Sequence, residues 1–240
     1  MTGNEPAGAA RTSGSPRPVP AASLILIDHS GRVPRVLMGR RHGSHVFHPD
    51  KYVFPGGRLE PQDRRMNAAG ALPAIVEEKL MKRLARPSPI RARAQALAAI
   101  RETFEETGML LGSRAYGAPS APPAGTWREF AVQGVFPTLE SLHFVARAIT
   151  PPRFPRRFDT VFFYADARDI AAKVAGHVGP SRELVETIWL PLAEARRLDI
   201  LDITGFVLDE LQARMAHGMR HDLPVPFYHG PLSRRIRDEL

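Results

Sequence analysis

The stretch Arg101-Glu102-Thr103-Phe104-Glu105-Glu106-Thr107-Gly108 holds three carboxylates at i, i+3 and i+4. On a helix all three share one face, because residues three and four apart are surface neighbours. Like charges packed together repel. A divalent cation is the natural compensation, and hard Mg²⁺ or Mn²⁺ takes oxygen ligands. Arg101, beside Glu102, can orient and partly neutralise the group. Leu97, Ile100 and Phe104 form an apolar stripe on the opposite face. Gly108 stands where a helix C-terminus favours a left-handed residue. One helix thus reads as core anchor on one side and metal platform on the other. An acidic helix turn is by itself more often a solvated face, so the flanking residues decide between the two readings.

Those flanks carry a pattern. RETFEETG resembles the second half of the Nudix box, which runs Gly, five residues, Glu, seven residues, then Arg-Glu-apolar-x-Glu-Glu-x-Gly-apolar. The first half is echoed by Phe54-Pro55-Gly56-Gly57-Arg58-Leu59-Glu60-Pro61-Gln62-Asp63, with Asp63 where the family has its first Glu. Two departures stand out. Residues 64–100 separate Asp63 from Arg101, far more than the usual seven, and Thr103 replaces an apolar residue. A split box of this kind is similar to the branch containing the peroxisomal coenzyme A diphosphatase of animals and its bacterial relatives. Arg40-Arg41-His42, the run from His45 to Gly57, Ile149-Thr150-Pro151-Pro152 and Arg156 to Phe163 also resemble that branch.

The elements that must position this chemistry can be read coarsely. Residues 1 to about 18 are rich in Ala, Gly, Pro and Ser and read as a disordered tail. Ala21–Ile27 and Arg35–Gly39 read as strands joined by a turn. Tyr52–Phe54 leads into Gly56 and Gly57, where glycine permits close backbone approach to a ligand. Pro73 opens a helix to about Ala85, and Pro87 and Pro89 close it. This insertion, over about 64–90, is expected to project near the substrate entrance. Arg91–Thr107 is the acidic helix. Strands follow at Leu110-Leu111, Leu142–Ile149, Thr160–Ala165 and Thr187–Leu190. Pro191–Arg197 reads as a short helix and Asp202–Ala216 as an amphipathic one, a C-terminal helical extension from about 202. Strands and helices do not alternate regularly, so a mixed sheet between helices is expected. This agrees with the single α/β domain over 19–240, an α/β/α sandwich, that the Nudix resemblance implies.

Composition excludes several classes. With no cysteine, disulfides, thiolate catalysis and Cys-zinc sites are ruled out. A net charge of +8 suits an anionic substrate. The basic residues are dispersed and no aromatic RNA-binding motif accompanies them, so nucleic acid is not the expected principal partner. No apolar run spans a membrane, and Leu24–Ile27 is too short for a signal core. The terminal Arg237-Asp238-Glu239-Leu240 looks like a retention signal but reads as coincidence. The cytoplasm is the expected location. The sequence does not speak to oligomeric state.

Secondary candidates surround the box. His42, His45 and His48 fall in a loop before Gly56 and suit substrate contact better than metal. Arg40, Arg41, Arg153, Arg156 and Arg157 could grip phosphate through bidentate guanidinium contacts. Asp159 reads as an arginine partner. Glu183 or Glu186 could be the base that Nudix enzymes often carry outside the box. The resemblance implies Mg²⁺ or Mn²⁺ on Glu102 and Glu106, with Glu105 and the Gly57 carbonyl as further ligands, and Asp63 as a weaker helper. It implies hydrolysis of a nucleoside diphosphate linked to another moiety. Coenzyme A or acyl-coenzyme A is one substrate. ADP-ribose, a dinucleotide or capped RNA is the alternative, and a noncatalytic binding module is the third reading.

Overall fold

The computed structural model describes residues 15–43 and 49–240. Residues 1–14, most of the stretch read as a tail, and residues 44–48, with His45 and His48, lie outside the described residues. The elements run β1 Val19–Asp28, β2 Arg35–Arg41, β3 Tyr52–Val53, β4 Gly56–Arg58, α1 Ala74–Met81, α2 Pro89–Thr107, β5 Met109–Leu111, α3 Trp127–Val132, β6 His143–Ile149, β7 Phe158–Asp166, β8 Ile170–Lys173, β9 Leu184–Pro191, α4 Leu192–Ala195, α5 Asp202–Ala216, β10 Pro226–His229 and β11 Ile236–Glu239.

β1 explains the architecture. Its run of apolar residues is buried on both faces, as a central strand requires. Ala22, Leu24 and Leu26 join the core under α2, while Ile25 and Ile27 join a second core under α5. The result is an α/β/α sandwich. The main sheet runs β11-β10-β6-β7-β1-β2-β3, with β4 also pairing β1 and β9 also pairing β2. It is mixed: β1 with β7 and β6 with β10 are parallel, and the other pairs are antiparallel. β5 and β8 form a separate two-stranded sheet. β1 pairs β2 near its end, at Ile27 with Val36, and β4 near its start, at Ser23 with Gly56. That division of one strand edge brings the Gly56-Gly57 turn against the sheet at the level of α2.

The insertion does not project. Met66, Leu72, Val76 and Leu80 are buried in the core shared with α2. Lys79 donates from Nζ to the carbonyls of His221 and Leu223 at 2.8 and 2.7 Å, tying α1 to the loop before β10. α1 stops at Met81, short of the expected Ala85, because Arg83 takes a left-handed φ of 55°. β8, β10, β11 and α3 were not legible from the pattern. After α5 the chain returns to the sheet, where the edge strand β11 takes in Arg237, Asp238 and Glu239 and is followed by a buried Leu240. The charged residues of β11 suit an exposed edge, where they discourage further strand pairing. No helix among the described residues is long and apolar enough to cross a membrane.

Candidate active site

α2 carries the site. Ser88 caps its start by accepting a hydrogen bond from the Arg91 amide at 3.3 Å, and Pro89 follows at the first turn. Gly108 ends it with φ 74°, its amide donating to the Phe104 carbonyl at 2.7 Å. Leu97, Ile100 and Phe104 are buried, as their spacing predicts. Thr103 sits fully buried in the slot expected to be apolar. Its hydroxyl donates to the Ala99 carbonyl at 2.8 Å, so the polar group is satisfied within the helix.

Arg101 organises the polar face from a fully buried position. Nε and Nη2 donate to the two oxygens of Asp63 at 2.8 and 3.1 Å, and Nη2 also donates to the Arg58 carbonyl at 2.8 Å. Nη1 donates to Glu102 and to Glu105, both at 2.9 Å. Asp63 is itself buried, and accepts from the Trp127 indole at 3.2 Å and the Glu60 amide at 2.8 Å. The shorter acid therefore clamps Arg101. This keeps the two halves of the box together although residues 64–100 lie between them.

The three carboxylates do not share one environment. Glu105 is held by Arg101 and by the Thr126 hydroxyl, with both side-chain oxygens engaged. Glu102 and Glu106 instead lie toward the Gly56-Gly57 turn. The Gly56 amide donates to Glu106 at 3.3 Å, and a Cβ at Gly57 would fall on the Glu102 carboxylate. Burial first, and then the neighbouring carboxylates, push Glu102 up to about 7 despite Arg101. Burial, followed by Glu183 and Glu102, pushes Glu106 well above the usual carboxylate range. Among the described residues no group of three or more acidic or histidine side chains stands in a metal-ligating arrangement. The donors that fit a hard cation are thus Glu102, which shares Arg101 Nη1 with Glu105, and the buried Glu106, together with backbone oxygen at the turn. Glu105, expected as a third ligand, lines the cleft with both oxygens hydrogen-bonded by Arg101 and Thr126.

A cleft of about 740 Å³ opens over Glu102, and the buried Glu106 is not among its lining residues. Gly56, Gly57, Glu102 and Glu105 line it, with Arg41, Arg58 and Arg156 as its cations and Glu183 on the same wall. Arg40, Arg157 and Glu186 do not line it. Arg40 and Tyr52 both donate to Glu186 at 2.6 Å, and these bonds, Tyr52 first, lower the Glu186 pKa. Arg157 donates to the carbonyls of Thr150 and Pro16, each at 2.9 Å. Arg153 does not line the cleft either, and its backbone takes a φ of 75° with the amide donating to the Ser15 hydroxyl. Asp159 is the arginine partner its context suggested, accepting two 2.7 Å bonds from buried Arg147. Arg58, Thr126 and Trp127 were missed. Arg58 was hidden inside the motif, whereas Trp127, one of two tryptophans, was a signal available in the composition.

No family model matches the sequence, and no curated protein matches it. Solved structures do. A Nudix hydrolase from Alicyclobacillus acidocaldarius is 26% identical with a TM-score of 0.62, covering 83% of this chain and 96% of its own. The Nudix domain of Shewanella oneidensis NrtR, solved with ADP ribose, is 12% identical (TM-score 0.45; 83% and 90% covered). A C. elegans Ap4A hydrolase is 16% identical (TM-score 0.42; 82% and 98% covered). The first of these supports the Nudix superfamily for this chain, and the fold is that of a Nudix hydrolase. The protein is accordingly a hydrolase acting on phosphoric anhydride bonds.

Proposed function

We propose that the protein hydrolyses the diphosphate of coenzyme A or acyl-coenzyme A, giving 3′,5′-ADP and (acyl-)4′-phosphopantetheine. The observation that carries the reaction is Glu102 on the floor of a cleft lined by Arg41, Arg58 and Arg156, with buried Glu106 behind it against the Gly56-Gly57 turn. Glu102, Glu106 and the Gly57 carbonyl would hold Mg²⁺ or Mn²⁺. When bound, that cation supplies the charge that polarises a phosphoryl oxygen and activates water. Arg101 orients Glu102 and is kept in place by Asp63. The arginines of the cleft wall neutralise and orient the phosphates. Glu183 is the group proposed to take a proton from the attacking water, supported by its place in the cleft and its influence on Glu106 and Glu102. A module that only binds would not need Glu106 kept buried beside Glu102 at such electrostatic cost.

The choice of coenzyme A rests on the split-box resemblance and on the basic cleft, which suits an additional 3′-phosphate. A panel of coenzyme A, its 3′-dephospho form, ADP-ribose, a dinucleotide and capped RNA, with products identified by mass spectrometry, tests it. Coenzyme A should exceed the dephospho form in kcat/KM by roughly ten- to a hundredfold, the worth of one charge-assisted contact. Arg156→Met should erase that preference. Equal turnover of both forms, or a clear preference for ADP-ribose, overturns the substrate while leaving diphosphate hydrolysis standing.

A further inference from the structure

A second chamber of about 360 Å³ adjoins the catalytic cleft. Thr150, Thr160, Phe162, Leu201 and Ile203 line both spaces, so the two share a wall. Ala148 and Tyr228 line the chamber from β6 and β10, and Asp202 with Ile203 from the first turn of α5. Phe162 packs edge-on against Phe54, with ring centres 6.4 Å apart. Phe54 directly precedes Pro55-Gly56-Gly57, so the shared wall begins beside the turn that approaches Glu102.

Most of the chamber's polar groups are engaged with one another or with the surrounding protein. Tyr228 donates its hydroxyl to Glu210 at 2.8 Å, and His229 pairs with Asp238 at 2.8 Å. Lys51 pairs with Asp199. Arg235 lies over the Phe206 ring at 4.9 Å and 4.0 Å from Asp202. The Thr150 carbonyl accepts from Arg157, and its hydroxyl oxygen accepts from the Phe158 amide at 3.0 Å. A phosphate or sugar entering here would have to break existing pairs. An apolar group would only release water, which is the favourable term such a surface offers.

We propose that this chamber is a subsite for an apolar tail on the substrate. On this view the enzyme cuts diphosphates joining a nucleotide to a group that carries an alkyl or acyl chain, with phosphates under the cleft arginines and the tail in the chamber. The inference deepens the diphosphate-hydrolase reading and rests on it. Water adds across one P–O–P bond and two phosphate monoesters leave, one of them bearing the tail, with no change of oxidation state.

The test is a series of adenosine diphosphate alkyl esters, from methyl to dodecyl, with ADP-ribose alongside, on the full chain with Mn²⁺. kcat/KM should rise with chain length, chiefly through KM, by roughly tenfold or more, and level off as the chamber fills. Ala148→Leu narrows the chamber and should lower the dodecyl-to-methyl ratio by roughly fivefold or more. Leu232→Glu, at an exposed position on the chamber lining, should act in the same direction with little risk to folding. Turnover that ignores chain length overturns the subsite. If no diphosphate is cut, the underlying reading fails, and calorimetric binding still decides the chamber. Tighter dodecyl than methyl binding supports it, and equal affinity overturns it.

Discussion

Gly57 shows how little room the chemistry leaves. Any side chain there would collide with Glu102, so Gly57→Ala should displace that carboxylate and lower kcat by roughly tenfold or more while circular dichroism stays unchanged. Glu106→Gln removes the buried acid behind Glu102 and should lower kcat by roughly a hundredfold or more. Because it also relieves buried repulsion, its melting temperature should hold or rise. A folded Glu106→Gln with near-normal turnover would refute the assignment. Glu183→Gln and Glu186→Gln separate the two candidate bases. The first should depress kcat and alter its pH profile, whereas the second should act mainly through the Arg40–Tyr52 pairing and leave the profile in place. Asp63→Ala strips the buried Arg101 of its best partner and should cost about 3 kcal/mol in guanidinium unfolding.

At the scale of elements, the segment between the box halves is the main correction. A projecting excursion could be trimmed with effects on KM alone. Here Met66, Val76 and Leu80 are core residues. Leu80→Ala should therefore cost about 2–5 kcal/mol, measurable by denaturant titration, and replacing residues 66–86 by a short linker should unfold the protein. A well-folded deletion with changed KM would restore the excursion idea. α3 has a similar supporting role: Trp127 and Thr126 reach Asp63 and Glu105, so a short helix outside the motif steadies both ends of the Arg101 network.

Across the whole molecule, acid should loosen the layers where β6 meets the loop before β10. The rings of His143 and His221 stack there at 4.0 Å. Burial, then the neighbouring His221, lowers His143 from the usual 6.5 to about 4. The unfolded chain gains this proton as pH falls through 6.5, while the folded chain resists it until about 4. Stability is thus fully present above 6.5 and is lost progressively from there toward 4. Glu102 and Glu106, raised by burial, act in the opposite direction over the same window, so the comparison is with the variant: between pH 6.5 and 4 His143→Gln should lose less melting temperature, or gain more, than the wild type. An unchanged slope in the variant would assign the acid sensitivity to other groups.

Local pattern was enough for the acidic helix and its ends, because Ser88, Pro89 and Gly108 act within a turn of where they stand. It was enough for β1 and α5 too, whose apolar spacing follows the period of the element. The split box was legible because each half keeps its own short-range order. Which carboxylate does what was not. Glu105 and Glu106 are adjacent in sequence, yet successive helix residues point about a quarter-turn apart. One therefore meets Arg101 and Thr126 and the other meets Gly56. The same holds for Arg40 against Arg41, where strand alternation gives one residue to Glu186 and the other to the cleft. The core role of residues 66–81, the clamp of Asp63 on Arg101 and the wall shared by chamber and cleft all join residues far apart in the chain. Such contacts exist only once the sheet is assembled, and no local spacing encodes them.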